Sequence, residues 1–112
     1  MSPITTHILD IAEGQPARGV RVTLERSGAD GWSSAGEGTT NDDGRVTDLL
    51  EEGAMSAGIY RLTFETKAYF EAKQAKTFYP EVAVTFCVEA SAEHYHVPLL
   101  LSPFGYSTYR GS

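Results

Sequence analysis

Cysteine is almost missing from this 112-residue chain: Cys87 stands alone, so no disulfide can close within it and nothing in the sequence calls for an oxidising compartment. Long apolar runs are missing too. No stretch approaches the ~20 residues of a membrane-spanning helix. The opening MSPITTHILDIAEGQ lacks the basic start and long apolar middle of a secretory leader, and the ending Tyr109-Arg110-Gly111-Ser112 is neither a peroxisomal address nor a lipidation box. The expected location is therefore cytoplasmic. Positive charge is in short supply, with nine Lys+Arg against fifteen Asp+Glu and a net charge of −6. Nucleic acid and anionic membrane are poor partners for such a chain, because both select a basic footprint. The sequence also has no P-loop, no dinucleotide-binding glycine motif, no G-x-S-x-G elbow and no H-E-x-x-H helix.

What is present reads as one domain over residues 1–112, long enough to bury about two-thirds of its unfolded surface without metal or disulfide staples. Glycine and proline fall singly or in pairs at intervals of about ten residues, the punctuation of an all-β chain. Residues 4–11 form a first apolar run. Val20, Val22 and Leu24 alternate with polar residues, as do Tyr60, Leu62 and Phe64, and both stretches predict half-buried strands. Further strands are expected over 32–40, 46–50, 82–88 and 94–101, with 105–110 returning as a hairpin. Asn41-Asp42-Asp43-Gly44 predicts a turn. One short helix is expected over 67–74, capped by Thr66, with Ala68, Tyr69, Ala72 and Ala75 on its inner face. Seven or eight strands and one short helix fit a two-sheet β-sandwich.

Three histidines carry most of the chemical promise. His94 and His96 lie two apart on one strand and face the same way, while Tyr95, Val97, Leu99 and Leu101 take the other face and suit a sandwich interior. The face bearing the imidazoles also carries Pro98 and Leu100. A sheet face of such mixed polarity suggests contact with another subunit. Each candidate has a plainer reading. His7 is compatible with a structural strand residue. The His94-x-His96 pair supplies only two of the ligands a zinc site needs. Arg45 could simply pair with the acids of the preceding turn. Cys87 has no neighbouring base in sequence and reads as a resting thiol.

The two ends of the chain carry a resemblance. Ser2-Pro3-Ile4-Thr5-Thr6-His7-Ile8-Leu9-Asp10 and the stretch from His94-Tyr95-His96-Val97-Pro98 through Gly105-Tyr106-Ser107-Thr108 to Tyr109-Arg110-Gly111-Ser112 resemble the opening and ending of the transthyretin-related 5-hydroxyisourate hydrolases. Asp43-Gly44-Arg45 and Phe78-Tyr79-Pro80 agree with the same family, and Phe104 departs from it mildly, at a position where tyrosine is common. The resemblance implies a transthyretin-like fold: two four-stranded sheets, one helix between the fifth and sixth strands, and a homotetramer built as a dimer of dimers. It implies a catalytic set of His7, Arg45, His96 and Ser112, with Tyr109, Arg110 and Gly111 binding substrate and His94 in the motif without a settled role. The implied reaction is hydrolytic opening of 5-hydroxyisourate to 2-oxo-4-hydroxy-4-carboxy-5-ureidoimidazoline, with no cofactor and no metal. The alternative within the same fold is a small-molecule carrier without hydrolase activity. A structural sandwich with no site is the third reading.

Overall fold

Alternating apolar residues draw the chain into strands whose inner faces meet. The structure, a computed structural model, describes residues 2–90 and 92–112. Its elements run β1 (Ile4–Asp10), β2 (Gln15–Pro16), β3 (Arg21–Gly28), β4 (Gly31–Thr39), β5 (Arg45–Val46), β6 (Gly58–Phe64), α1 (Thr66–Ala72), β7 (Val82–Val88), β8 (Tyr95–Ser102) and β9 (Gly105–Thr108). One sheet has the order β4-β3-β6-β7, antiparallel throughout. In the other, β8 lies between β9 and β1, and β2 and β5 both pair with the far side of β1. With the two-residue β2 set aside, these are the two four-stranded sheets expected, and α1 falls between the fifth and sixth strands.

The sandwich interior is filled from both sides. Val22, Leu24, Tyr60, Leu62 and Phe64 meet Ile4, Ile8, Val97, Leu99 and Leu101, all buried. Each such side chain contributes about 1.5–3 kcal/mol of transfer free energy. β1 and β8 pair in parallel, from Ile4↔Tyr95 to Asp10↔Leu101. That register joins segments some ninety residues apart, and it places their outward residues side by side.

Three local expectations need correction. The helix ends at Ala72 rather than Gln74, and Thr66 does not cap it: the N-cap is Glu65, without a side-chain cap bond, while Thr66 Oγ1 donates to the Tyr79 carbonyl at 3.0 Å. Its buried face is Thr66, Tyr69 and Phe70, and Ala68 and Ala72 are exposed. The bulkier rings reach the core where an alanine methyl cannot. At the C-terminus Gln74 takes the left-handed conformation (φ 58°), and its N–H and that of Ala75 close back on the Glu71 and Phe70 carbonyls. This satisfies the last turn without a glycine. The strand expected over 46–50 shrinks to Arg45–Val46, because the chain then leaves the sheet to bury Leu49. A Cβ on Gly36 would lie 1.8 Å from the Leu49 carbonyl oxygen, so only glycine admits this crossing. The hairpin expected over 105–110 pairs as far as Thr108, breaks opposite the N–H-less Pro98, and resumes in the same register at His96↔Gly111.

Candidate functional site

His7 reaches the outer face of its sheet by simple alternation. Ile4, Thr6, Ile8 and Asp10 of β1 are buried at the core, so Thr5, His7 and Leu9 point the other way. His96 and Pro98 do the same on β8, and the parallel register sets Thr5 beside His96 and His7 beside Pro98. On the other side of β1, His7 has Arg45 as its cross-strand partner.

Arg45 is delivered there by the acidic turn. Asn41 Oδ1 accepts the N–H groups of Asp43 (2.9 Å) and Arg45 (3.0 Å), and the Gly44 N–H closes on the Asn41 carbonyl. Gly44 has φ +73°, its carbonyl receives the Ile8 N–H at 2.7 Å, and a Cβ there would lie 2.4 Å from the Ile8 oxygen. Glycine is thus required twice over at this corner. The plainer reading of Arg45 as partner to the turn acids does not hold. Asp42 pairs with Arg18 at 3.2 Å, and among the described residues no carboxylate lies within ion-pairing distance of Arg45.

A depression of about 320 Å³ opens on this face, lined by Thr5, Arg45, Thr47, His94, His96 and Ser112. Thr5 sits between the two histidines of β8 and its lead-in: its Oγ1 is 3.0 Å from His94 Nε2 and 2.8 Å from His96 Nδ1. The rings of His94 and His96 stack at 6.4 Å between centroids. The C-terminal segment closes over the site through the Gly111 N–H, which donates to the His96 carbonyl at 2.8 Å. A Cβ on Gly111 would meet His96 Cδ2 at 2.7 Å and Pro98 Cγ at 3.1 Å, so glycine lets the tail lie flat on the imidazole.

The electrostatics favour neutral rings. Partial burial and then the Arg45 cation push His7 below the ordinary imidazole value, an effect that the backbone and charge of Asp43 partly offset. His96 is lowered by burial, by Arg45, and by the two other imidazoles, against a hydrogen bond to the Thr5 backbone. At neutral pH both present lone pairs that can take a proton, beside a fixed cation.

The expected residues do not all converge. Within one chain Arg45, His96 and Ser112 line the depression, His7 stands outside its lining as the cross-strand partner of Arg45, and Gly111 lies against His96. Tyr109 and Arg110 lie in a separate groove of about 370 Å³, bordered by Phe86, Cys87, Glu93 and Tyr95. There Arg110 lies 3.4 Å from Glu93 and packs over the Tyr95 ring at 4.3 Å. His96 borders both hollows. Thr5 was not singled out by sequence reasoning, although its place two residues before His7 puts it on the same strand face. Among the described residues no three His, Cys, Asp or Glu side chains cluster as metal ligands would, and no helix is long and apolar enough to cross a membrane.

Strand order, helix position and this titratable outer face together define a transthyretin-like β-sandwich whose polar site is built from imidazoles and a guanidinium. The HIUase/Transthyretin family model matches residues 4–111, and the chain belongs to that family. A 5-hydroxyisourate hydrolase of Salmonella dublin is 50% identical over 109 residues, which is 97% of this chain and 80% of that one. Among solved structures, sea bream transthyretin in complex with thyroxine superposes with a TM-score of 0.93 at 35% identity, covering 98% of this chain and 95% of that one. The 5-hydroxyisourate hydrolase of Klebsiella pneumoniae gives 0.85 at 38% identity, covering 97% and 92%.

Proposed function

We propose that this chain is a hydrolase that opens the six-membered ring of 5-hydroxyisourate, giving 2-oxo-4-hydroxy-4-carboxy-5-ureidoimidazoline. The observation that carries the reading is the meeting of His7, Arg45 and His96 on one sheet face beside Ser112. The 50% identity with a named hydrolase supports the same substrate.

Cleavage of a ring amide requires that water lose a proton as it attacks, that the carbonyl oxygen be stabilised as it turns negative, and that the departing nitrogen gain a proton. Two neutral imidazoles meet the first and third needs. Arg45, permanently cationic and unpaired among the described residues, meets the second. A fixed donor aimed at a developing oxyanion contributes about 3–4 kcal/mol, or 10²–10³ in kcat. One of His96 and His7 activates the water while the other holds or protonates the ring, Arg45 polarises the carbonyl, and Ser112 completes the rim through its hydroxyl or carboxylate. Tyr109, Arg110 and Gly111 bind substrate. Since Arg110 looks into the neighbouring groove within one chain, its clamp belongs to an assembled site in a homotetramer, a dimer of dimers, where tails of facing subunits meet.

The test is direct. 5-Hydroxyisourate generated with a urate oxidase decays spontaneously, and its ultraviolet signal should fall faster when this protein is added. A decay unchanged by the protein overturns the proposal. The carrier reading draws on the close superposition with a thyroxine-bound transthyretin. It predicts tight thyroxine binding with no hydrolysis, and the same preparation decides between the two.

A further inference from the structure

The hydroxyl of Thr5 is 94% buried with its residue and stands within hydrogen-bonding distance of two imidazole nitrogens, His94 Nε2 at 3.0 Å and His96 Nδ1 at 2.8 Å. A hydroxyl has one proton to give and lone pairs with which to receive. The oxygen could accept from both rings, but its own proton needs an acceptor, and among the described residues this buried hydroxyl has no partner besides these two nitrogens, so one facing nitrogen carries a proton and the other does not. The two rings are therefore not independent. If His94 donates to Thr5, then Thr5 donates to His96 Nδ1, and His96 carries its proton on Nε2. If His96 donates from Nδ1, then Thr5 donates to His94, and His96 Nε2 is a free base.

The surroundings select the second arrangement. Nε2 is the nitrogen of His96 not engaged by Thr5, and the Arg45 cation makes its face of the site a better place for a lone pair than for an N–H.

We propose that Thr5 is a positioning residue that locks His96 in the Nδ1–H form and links it to His94 as a proton relay. The proposal deepens the hydrolase reading and rests on it for its kinetic consequence. As water attacks the ring carbonyl, one O–H bond of the water breaks and the proton goes to His96 Nε2. The Nδ1 proton passes to Thr5 Oγ1, and the Thr5 proton passes to His94 Nε2. His96 ends neutral, Thr5 recovers its hydroxyl, and the charge sits on His94. When the C–N bond breaks and its electron pair goes to nitrogen, the same three transfers run backwards and protonate the leaving nitrogen. His94 is exposed, so the positive charge is held where water solvates it.

The relay also predicts a pH signature. Protonation of His94 in the resting state forces Thr5 to accept from it and to donate to His96, which blocks Nε2. The acid limb of the rate then reports His94 as well as His96. The groups facing this pair are His7 and Thr5 from β1, Arg45 from β5, and Ser112 from the tail, with Asp43 beside His7. Glu93 adjoins His94 in sequence but is turned away, accepting from the Tyr95 hydroxyl and lying near Arg110.

Thr5→Val keeps the shape and removes the hydroxyl. It should lower kcat about tenfold with KM within about twofold, and move the acid limb to lower pH. Thr5→Ser should restore kcat to within about threefold of wild type. The ¹⁵N spectra of the histidine rings give a second readout that needs no substrate: His96 should be Nδ1–H in the wild type and acquire Nε2–H in Thr5→Val. A wild-type His96 already protonated on Nε2, or a Thr5→Val enzyme with unchanged kcat and pH profile, overturns the relay. If the wild-type chain fails to hasten 5-hydroxyisourate decay, the hydrolase reading falls and the spectra alone decide the relay.

Discussion

His7→Asn and His96→Asn should each lower turnover of 5-hydroxyisourate at least about tenfold, since each removes a group that can move a proton while keeping a polar side chain of similar bulk. Near-normal turnover in either variant removes that residue from the chemistry. Gly111→Ala places a methyl 2.7 Å from His96 Cδ2, so the tail must lift. The expected result is a several-fold loss of turnover, about 1 kcal/mol or less in stability, and an unchanged far-ultraviolet circular dichroism spectrum. At this scale the sequence was informative where strand alternation could be combined with a motif. His7 stands across from Arg45; Arg45, His96 and Ser112 line one depression; and Gly111 lies against the His96 ring. Two features escaped. Thr5 is a common strand residue, and its contact with two imidazoles depends on a pairing between segments ninety residues apart. The aim of Arg110 depends on what packs beside the tail, which no spacing along the chain encodes.

Among the elements, the corner before β5 does most to set the site, because it carries Arg45 to the edge of β1. Gly44→Ala adds a Cβ at a left-handed φ and 2.4 Å from the Ile8 oxygen. We expect a loss of about 2–3 kcal/mol in denaturant unfolding, together with a fall in turnover as Arg45 is displaced. The helix is tied to the same strand by a buried bond, Tyr69 hydroxyl to Asp10 Oδ2 at 2.7 Å, while Asp10 Oδ1 accepts the N–H groups of Ala12 and Glu13. Burial and the Asp10 carboxylate push the Tyr69 hydroxyl pKa well up, so it remains a donor throughout the accessible pH range. Tyr69→Phe leaves part of that carboxylate without a partner and should cost about 1–3 kcal/mol in unfolding free energy. The long strands were legible because their period-two pattern is strong. The helix end was not, because its left-handed residue is Gln74 where glycine would have announced it, and the short β5 was not, because the burial of Leu49 is a tertiary event.

For the whole molecule, the depressed imidazoles link stability to acidity. His7 and His96 bind protons less readily folded than unfolded, so the unfolded state takes up more protons as pH falls through about 6.5. Their contribution is therefore present above that pH, declines below it, and levels off beneath the lowered folded values. Wild type should lose stability on acidification more steeply than a His7→Asn, His96→Asn double variant, as read from denaturant midpoints at pH 7.5 and 5.5. Equal slopes would remove the linkage. Sedimentation should find the active species to be a tetramer, and a monomer with full turnover would overturn the shared-site assembly. The parallel contact of β1 with β8 has a further consequence during synthesis. His7 is translated with β1, but the neighbouring strand β8 follows some ninety codons later. Until then β1 can recruit only the short β2 and β5 on one flank, so a nascent chain exposes its other edge to chaperones, and a ribosome stalled before residue 95 would hold a protein with its reaction chamber half made.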